Sequence, residues 1–193
     1  MVHHSPNDLT DMNSFSIQDG TTSVALDTDL LSSELGLTLS SVDNTVESIS
    51  EEFPVGFDIS DQSDFEFNKD NGFTPIAGEI EHTGTVTFSS LLGNITLGDF
   101  AVGFDPNRQT EDASGFYVKN TVDGILGDQI LFDVSNPESL EIGEMELRLG
   151  KADLLVPQDA NTLLAMGLPS GYDLGDIAIN ASFVPESVQN MTM

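Results

Sequence analysis

Carboxylates are the side chains of this protein that are most able to do chemistry. There are 33 Asp and Glu residues against five Lys and Arg, which gives a formal net charge of −28 at pH 7. The densest acidic stretch covers residues 58–71, and a second acidic loop begins at residue 105. Carboxylate oxygens are ligands that Ca²⁺ prefers. The candidate calcium ligands are Asp58, Asp61, Asp64, Asp70, Asp105 and Asp112.

Their spacing does not match the calcium loop of a helix-loop-helix protein. That loop requires Asp-x-Asn/Asp-x-Asn/Asp-Gly, followed by a Glu at its twelfth position. Here Gly72 falls one place late relative to positions 66, 68 and 70, and no flanking helices are predicted. A calcium site would therefore use scattered loop oxygens. Two alternatives stay open: the acidic surface only keeps the protein soluble, or it meets a basic partner.

Recognisable catalytic motifs are absent. The sequence has no Gly-x-Ser-x-Gly, no phosphate-binding glycine loop and no His-Glu-x-x-His. His82 lies on the same strand face as the apolar residues at 80, 86 and 88, which predicts a core histidine with a hydrogen-bond partner rather than a catalytic one. A pair of carboxylates from distant strands would suit glycoside cleavage. The chain has no Trp and only two Tyr, however, so it lacks the aromatic platforms that bind sugars.

Charge and composition also limit the partners and the compartment. A strongly acidic chain does not bind nucleic acid, whose phosphates need Lys and Arg, and anionic membrane surfaces repel it. The absence of Cys excludes disulfides and thiolate chemistry. No apolar run is long enough to span a membrane, and no N-terminal secretory leader is visible. Cations and basic partners fit this charge best.

The elements that position these residues are predicted to be β-strands. The clearest apolar–polar alternation covers residues 80–88. Further strands are predicted at 21–31, 35–39, 53–59, 65–67, 94–97, 100–104, 115–119, 129–134, 140–149, 152–156 and 177–183. The apolar positions change facing at Gly98-Asp99 and at Gly143, which predicts turns or bulges there. This pattern predicts an all-β fold of about ten strands, an antiparallel β-sandwich of jelly-roll kind.

One short helix and two terminal segments complete the predicted organisation. Pro157, an apolar stretch and Gly167 predict a helix near residues 158–166. Residues 1–20 are predicted to be a flexible or docking arm, 21–184 a single β-sandwich domain and 185–193 a tail. The arm and the sheet edges are the expected places for self-association.

Five strand motifs carry a resemblance to a known family. They lie at 81–88, 98–105, 114–118, 130–134 and 152–156, and they resemble secreted bacterial β-proteins of the PEP-CTERM type, particularly cyanobacterial ones. Residues 183–187 (Phe-Val-Pro-Glu-Ser) are similar to the start of that family's Val-Pro-Glu-Pro junction, but depart from it at Ser187. The resemblance implies an exported, surface or matrix protein, here with its C-terminal anchor degenerate or missing. It implies no active-site residue.

These features predict a non-enzymatic extracellular protein, structural or adhesive, of a cell surface, matrix or filament. Self-assembly through the arm or the sheet edges is its expected mechanism. The first alternative is a calcium-dependent binding module of unknown ligand, and the second is a carboxylate-pair hydrolase. In each case we expect the protein to be secreted or to lie at the cell surface.

Overall fold

In the computed structural model the described residues form an all-β fold that includes a short α-helix, which confirms the predicted all-β class. The structure describes residues 14–70, 72–91, 93–124, 127–158 and 168–186. In chain order the elements are β1 (Ser14–Leu26), α1 (Thr28–Leu35), β2 (Thr38–Asp43), β3 (Val55–Ile59), β4 (Glu66–Asn68), β5 (Thr74–Ala77), β6 (Glu79–Thr83), β7 (Thr85–Ser90), β8 (Gly93–Gly98), β9 (Ala101–Phe104), a 3₁₀ turn (Pro106–Arg108), β10 (Ala113–Lys119), β11 (Ile130–Ser135), β12 (Leu140–Ile142), β13 (Glu146–Leu155) and β14 (Asp173–Pro185).

Eight of the strands close into an antiparallel barrel, so the predicted β-sandwich is wrong. Around the barrel the order is β1-β3-β6-β9-β10-β11-β13-β14, and β14 pairs again with β1. β1 and β14 have 13 residues each and pair with a barrel neighbour on both sides. Sandwiches and barrels share the same alternation of inward and outward side chains. The alternation therefore predicts the strands but not the closure of the sheet.

The remaining strands lie outside this ring. β12 pairs with β13, while β4 pairs with the start of β1 and with β5. β2, β7 and β8 form a separate three-stranded sheet, which we call the small sheet. Its Val86, Phe88 and Leu97 are buried and, with Leu31 of α1, line a cavity at the centre of the barrel. The small sheet and α1 therefore cover one end of the barrel.

α1 lies where the apolar pattern predicts the end of one strand and the start of another, so the strand prediction is wrong over residues 28–35. The Asp27 side chain accepts a hydrogen bond from the Leu30 N–H (3.1 Å), which caps the first turn. Gly36 ends the helix in the left-handed conformation, with φ of +67°. Leu31 is buried and anchors the helix to the core. Capping and the core contacts of Leu31, with Leu30 and Leu35 packed beside it, outweigh the short-range alternation.

The alternation over residues 80–88 runs through two strands that belong to different sheets. β6 is part of the barrel and β7 is part of the small sheet, and the chain passes between them at Gly84. Gly84 has a φ of +121°, and a Cβ there would lie 2.8 Å from the Phe57 ring. The switch predicted at Gly98-Asp99 is confirmed as the return from β8 to barrel strand β9, with Asp99 at φ +42°. Gly143 lies in the turn between β12 and β13.

The boundary predicted between the N-terminal arm and the β domain differs from the structure. Residues 14–20, placed in the arm by the sequence pattern, lie in β1. Residues 1–13 and 187–193 fall outside the described residues, as does the helix predicted near 158–166 apart from Gln158. Within the described ranges, no helix has both the length and the apolar character that crossing a bilayer requires.

Candidate functional site

The predicted calcium ligands are spread over the surface rather than gathered in one place. Asp58 and Asp61 lie with Asp19 along an open groove beside β1 and β3. Asp70 and Asp112 are exposed in separate loops. The sequence stretch that contains most of these residues therefore does not fold into a single ligand cluster.

The other two predicted ligands already have structural partners. Asp64 Oδ1 accepts a hydrogen bond from the Glu79 N–H (2.8 Å). Asp105 Oδ1 accepts one from the Asn107 N–H (2.9 Å), which caps the 3₁₀ turn. One oxygen of each carboxylate is thus used to shape a loop, which is a common role for Asp at turns.

Three different carboxylates come together where β13 and β14 pair. Asp153 of β13 faces Asp176 of β14 in strand register, and Asp173 begins β14. One oxygen atom from each of the three lies within 4.8 Å of the other two. Across the described ranges, this is the one group of three His, Asp or Glu residues with such spacing. These are the residues that could hold a metal ion, and we call them the acidic triad.

Burial and neighbouring negative charge raise the pKa of one member of the acidic triad, Asp153. Burial, a hydrogen bond with Asp176 and the charges of Asp173 and Asp176 raise the pKa of Asp153 to about 6. A positive charge lies nearby, with Lys151 Nζ 3.6 Å from Asp176 Oδ2. Asp153 can therefore take up a proton near pH 6, and the three carboxylates together offer oxygen ligands to a cation. Asp153, Asp173 and Asp176 are not among the described residues that line the two cavities of the barrel interior.

His82 is buried inside the barrel, as predicted. Its Nδ1 lies 2.9 Å from the Phe100 carbonyl oxygen, which can only accept, so Nδ1 carries the proton. Its Nε2 lies 2.6 Å from Thr22 Oγ1 and accepts the hydroxyl hydrogen. Burial lowers the pKa of His82 to about 4, so the ring is neutral at pH 7. Both nitrogens are satisfied within the core, which is the arrangement of a structural histidine.

The barrel interior contains two apolar cavities. The central cavity, beside His82 and Thr22, has a volume of about 40 Å³. That is room for little more than a water molecule. The second cavity, which we call the end cavity, has a volume of about 230 Å³ and lies at the barrel end opposite the small sheet. Val102 and Ile177 line both cavities and so divide the interior.

The end cavity has an inner aliphatic wall and an outer aromatic wall. The inner wall consists of barrel side chains, among them Ile80, Val102, Val134, Leu149, Ile177 and Ile179. The outer wall is formed by Phe73, Phe104 and Phe116. The ring of Phe116 packs edge-on against Phe104, with centroids 5.1 Å apart, and stacks on Phe73 at 5.9 Å. Interlocked rings of this kind make a stiff surface.

The loop after β9 forms part of the cavity mouth. Its 3₁₀ turn is held to β11 by Arg108, whose Nε donates to Asp133 Oδ1 at 2.6 Å. Gln158 reinforces this attachment, because its side-chain amide donates to the Arg108 carbonyl (2.8 Å). The next residue, Gln109, is exposed and lines the cavity at its mouth, as does the exposed Leu140 of β12.

Few polar groups line the end cavity, and most of them are engaged. Ser114 Oγ donates to the Val134 carbonyl (2.7 Å), and Ser135 Oγ accepts from the Asp153 N–H (2.7 Å). The side-chain amide of Gln109 makes no hydrogen bond within the part of the chain that the structure describes. No Asp, Glu, Lys, Arg or His side chain is among the described residues of the lining. The cavity is therefore suited to an uncharged, mainly apolar molecule.

The sequence contains a signal for the acidic triad but none for the end cavity. Asp153 interrupts an otherwise apolar run at 152–156, and an acid in such a strand marks a special environment. The lining of the cavity comes from strands far apart in the sequence, whose side chains simply follow the inward-facing pattern. An unfilled volume between them depends on how the barrel closes.

Comparison with known proteins supports the barrel fold. No protein-family model matches the chain, and no curated protein matches it. A solved structure with a similar fold is the crystal structure of the C-terminal domain of HtaA from Corynebacterium glutamicum. The two share a TM-score of 0.59 and 13% sequence identity, and the match covers 88% of this chain and 99% of that chain. At this identity the similarity shows the fold alone.

Proposed function

We propose that this protein is a non-enzymatic binding module of the cell exterior that takes up a small apolar molecule in the end cavity. The observation that carries the proposal is the cavity itself: about 230 Å³, apolar, and bounded by barrel strands and a phenylalanine wall. Eight-stranded barrels are wide enough to hold one small ligand, and their mouths are frequent binding sites.

The size of the cavity favours a ligand site over a simple packing defect. Protein interiors are close-packed, with few voids larger than a water molecule. A closed void of 230 Å³ would cost up to about 5 kcal/mol on the mutational scale of cavity volumes. Water in this space would find few hydrogen-bond partners, because the lining is mostly aliphatic and aromatic. An apolar ligand would offset that cost.

Binding of naphthalene, followed by its fluorescence or by calorimetry, tests the proposal. We expect saturable one-to-one binding to the wild-type protein. Val134→Phe places a ring inside the cavity and should abolish binding, and Ile179→Phe provides a second filling variant if the first is unstable. The matched control is Val42→Phe on the exposed strand β2, which should bind as the wild type does. No binding to the wild type, or equal binding to folded Val134→Phe, would contradict the proposal.

Calcium-dependent binding is the second candidate function. It is supported by the acidic triad, where three carboxylate oxygens lie within 4.8 Å of one another with a single lysine nearby. Ca²⁺ takes oxygen ligands from several carboxylates and tolerates irregular geometry. This proposal moves the calcium site from the ligands predicted in loops to Asp153, Asp173 and Asp176.

A structural or adhesive role through self-association remains a prediction. The feature that favours it is β2, an edge strand of the small sheet whose six residues are all exposed. Leu39 and Val42 on this strand are 41% and 45% exposed. An edge of this kind offers unpaired backbone groups to a further strand. The net charge of −28 opposes self-association, so we expect it to depend on salt or Ca²⁺.

A further inference from the structure

We propose that the end cavity selects an uncharged amphiphile, with an apolar body of one or two rings and a single hydrogen-bonding head, and that Gln109 recognises the head. This inference rests on the proposed function of the cavity and names the class of its ligand. An engineered apolar cavity of about 150 Å³ in another protein accepts benzene, so about 230 Å³ suits a slightly larger body.

The charges of the protein disfavour a ligand with an anionic head. The described lining contains no positively charged side chain that could pair with one. The protein as a whole carries a net charge of −28, which repels anions as they approach. A charged group placed at the cavity without a partner would also lose solvation. A carboxylate-bearing ligand is therefore disfavoured relative to a neutral analogue of the same size.

Gln109 is the polar group that remains available to a ligand. The two serines of the lining are already hydrogen-bonded to the backbone, whereas the Gln109 amide makes no hydrogen bond within the described residues. A primary amide both donates and accepts, so it suits a hydroxyl, a ketone or another amide. Gln109 is exposed, so water competes with this contact and the expected preference is modest.

The backbone holds Gln109 at the mouth of the cavity. Gly115 leaves room for its side chain, because a Cβ there would lie 2.9 Å from Gln109 Cγ, and the φ of Gly115 is +102°. The Gln109 N–H donates to the Pro106 carbonyl (3.2 Å). On the other side, Arg108 is tied to Asp133. Because the backbone that carries Gln109 is already fixed, only its side chain has to be ordered when a ligand head binds.

Three probes of the same shape test the inference: naphthalene, 2-naphthol and 2-naphthoate, titrated at pH 7 into the full chain. We expect the wild type to bind 2-naphthol about three- to tenfold more tightly than naphthalene, the range of one water-exposed hydrogen bond. It should bind 2-naphthoate at least tenfold more weakly than 2-naphthol. Gln109→Leu should remove the preference for 2-naphthol, measured within the variant as the ratio of the 2-naphthol and naphthalene affinities. Gln62→Leu, in an exposed turn away from the cavity, is the matched control and should change nothing.

The outcomes separate this inference from the proposed function. If naphthalene binds but Gln109→Leu keeps the preference for 2-naphthol, Gln109 does not recognise the head and the inference is overturned, while the cavity remains a binding site. Equal or tighter binding of 2-naphthoate overturns it as well. If no probe binds to the wild type, the proposed function fails and the inference fails with it.

Discussion

Arg108 and Asp133 form a buried ion pair beside the end cavity, with Nε and Oδ1 2.6 Å apart and side-chain exposures of 11% and 2%. The backbone N–H of Gln158 donates to the second Asp133 oxygen at 3.2 Å. Three segments distant in the sequence therefore meet at one carboxylate. The pair fixes the loop that carries Gln109, so the shape of the cavity mouth depends on it.

Removing the arginine should destabilise the protein strongly. Arg108→Ala leaves the Asp133 carboxylate buried without its cation, and we expect a loss of about 3 kcal/mol in the free energy of unfolding. The matched control is Arg148→Ala, whose partner Glu146 lies 3.9 Å away on the exposed surface, and its loss should be below about 1 kcal/mol. Urea unfolding of both variants measures the difference. Equal losses would show that the buried pair has no special structural role.

His82 should make stability depend on pH. The unfolded chain takes up the proton near pH 6.5 and the folded protein only near pH 4. Between these values the unfolded state binds more protons, so stability falls as the pH falls from 6.5 to 4 and levels off below that. The full contribution, present above pH 6.5, is about 3 kcal/mol from the difference in pKa.

The His82→Gln variant isolates this effect from the many titrating carboxylates, since Gln can still bond to Thr22 without taking a proton. Urea unfolding of wild type and variant at several pH values gives two stability curves. We expect the stability of the wild type, relative to that of the variant, to fall as the pH falls from 6.5 to 4. Parallel curves across this range would mean that the folded protein binds the His82 proton normally.

The acidic triad should bind Ca²⁺ in competition with protons. Because the pKa of Asp153 is raised to about 6, this carboxyl is largely deprotonated at pH 7.5 and largely protonated at pH 5. We expect roughly tenfold weaker Ca²⁺ binding at pH 5 than at pH 7.5, measured by calorimetry. Asp153→Asn should abolish the binding, whereas Asp61→Asn, at a ligand predicted from the sequence, should not. A calcium response that survives Asp153→Asn would place the site elsewhere.

Tyr117 and Gly103 form a tight contact on the outer face of the barrel. Tyr117 crosses over Gly103 to donate to Glu79 Oε2 (2.8 Å), and a Cβ on Gly103 would lie 2.3 Å from the Tyr117 hydroxyl. Gly103→Ala should therefore cost about 1–3 kcal/mol in thermal or urea unfolding. In a protein that already carries Tyr117→Ala, the same Gly103→Ala change should cost less, because the ring that clashes is gone. An equal cost of Gly103→Ala in both backgrounds would contradict the contact.

The sequence could predict the strands and the facing of single residues. The buried position of His82 is predicted from its place on the same strand face as apolar residues, and it is confirmed. The same pattern could not predict that β6 and β7 belong to different sheets, because the side chains keep alternating across Gly84. Closure into a barrel depends on β1 pairing with β14, a contact between the two ends of the chain. Local periodicity contains no information on such a contact.

The candidate sites were harder to predict than the fold. Six acids are predicted as ligands because they lie in two acidic stretches of the sequence, but the fold places them in separate loops and one groove. Asp153 and Asp176 are 23 positions apart and meet only through strand register. For α1, by contrast, the signals were local: Asp27 at the N-cap and Gly36 at the C-terminal end bracket the helix.

The location of a bound probe is the most direct test of the central proposal that the end cavity is a ligand site. Intermolecular NOEs between naphthalene and assigned methyl groups report that location. We expect contacts to the methyl groups of Val134, Leu149 and Ile179, and none to those of Leu39 and Val42 on the exposed edge of the small sheet. Contacts to the exposed edge alone, or no contacts at saturating probe, would contradict the account.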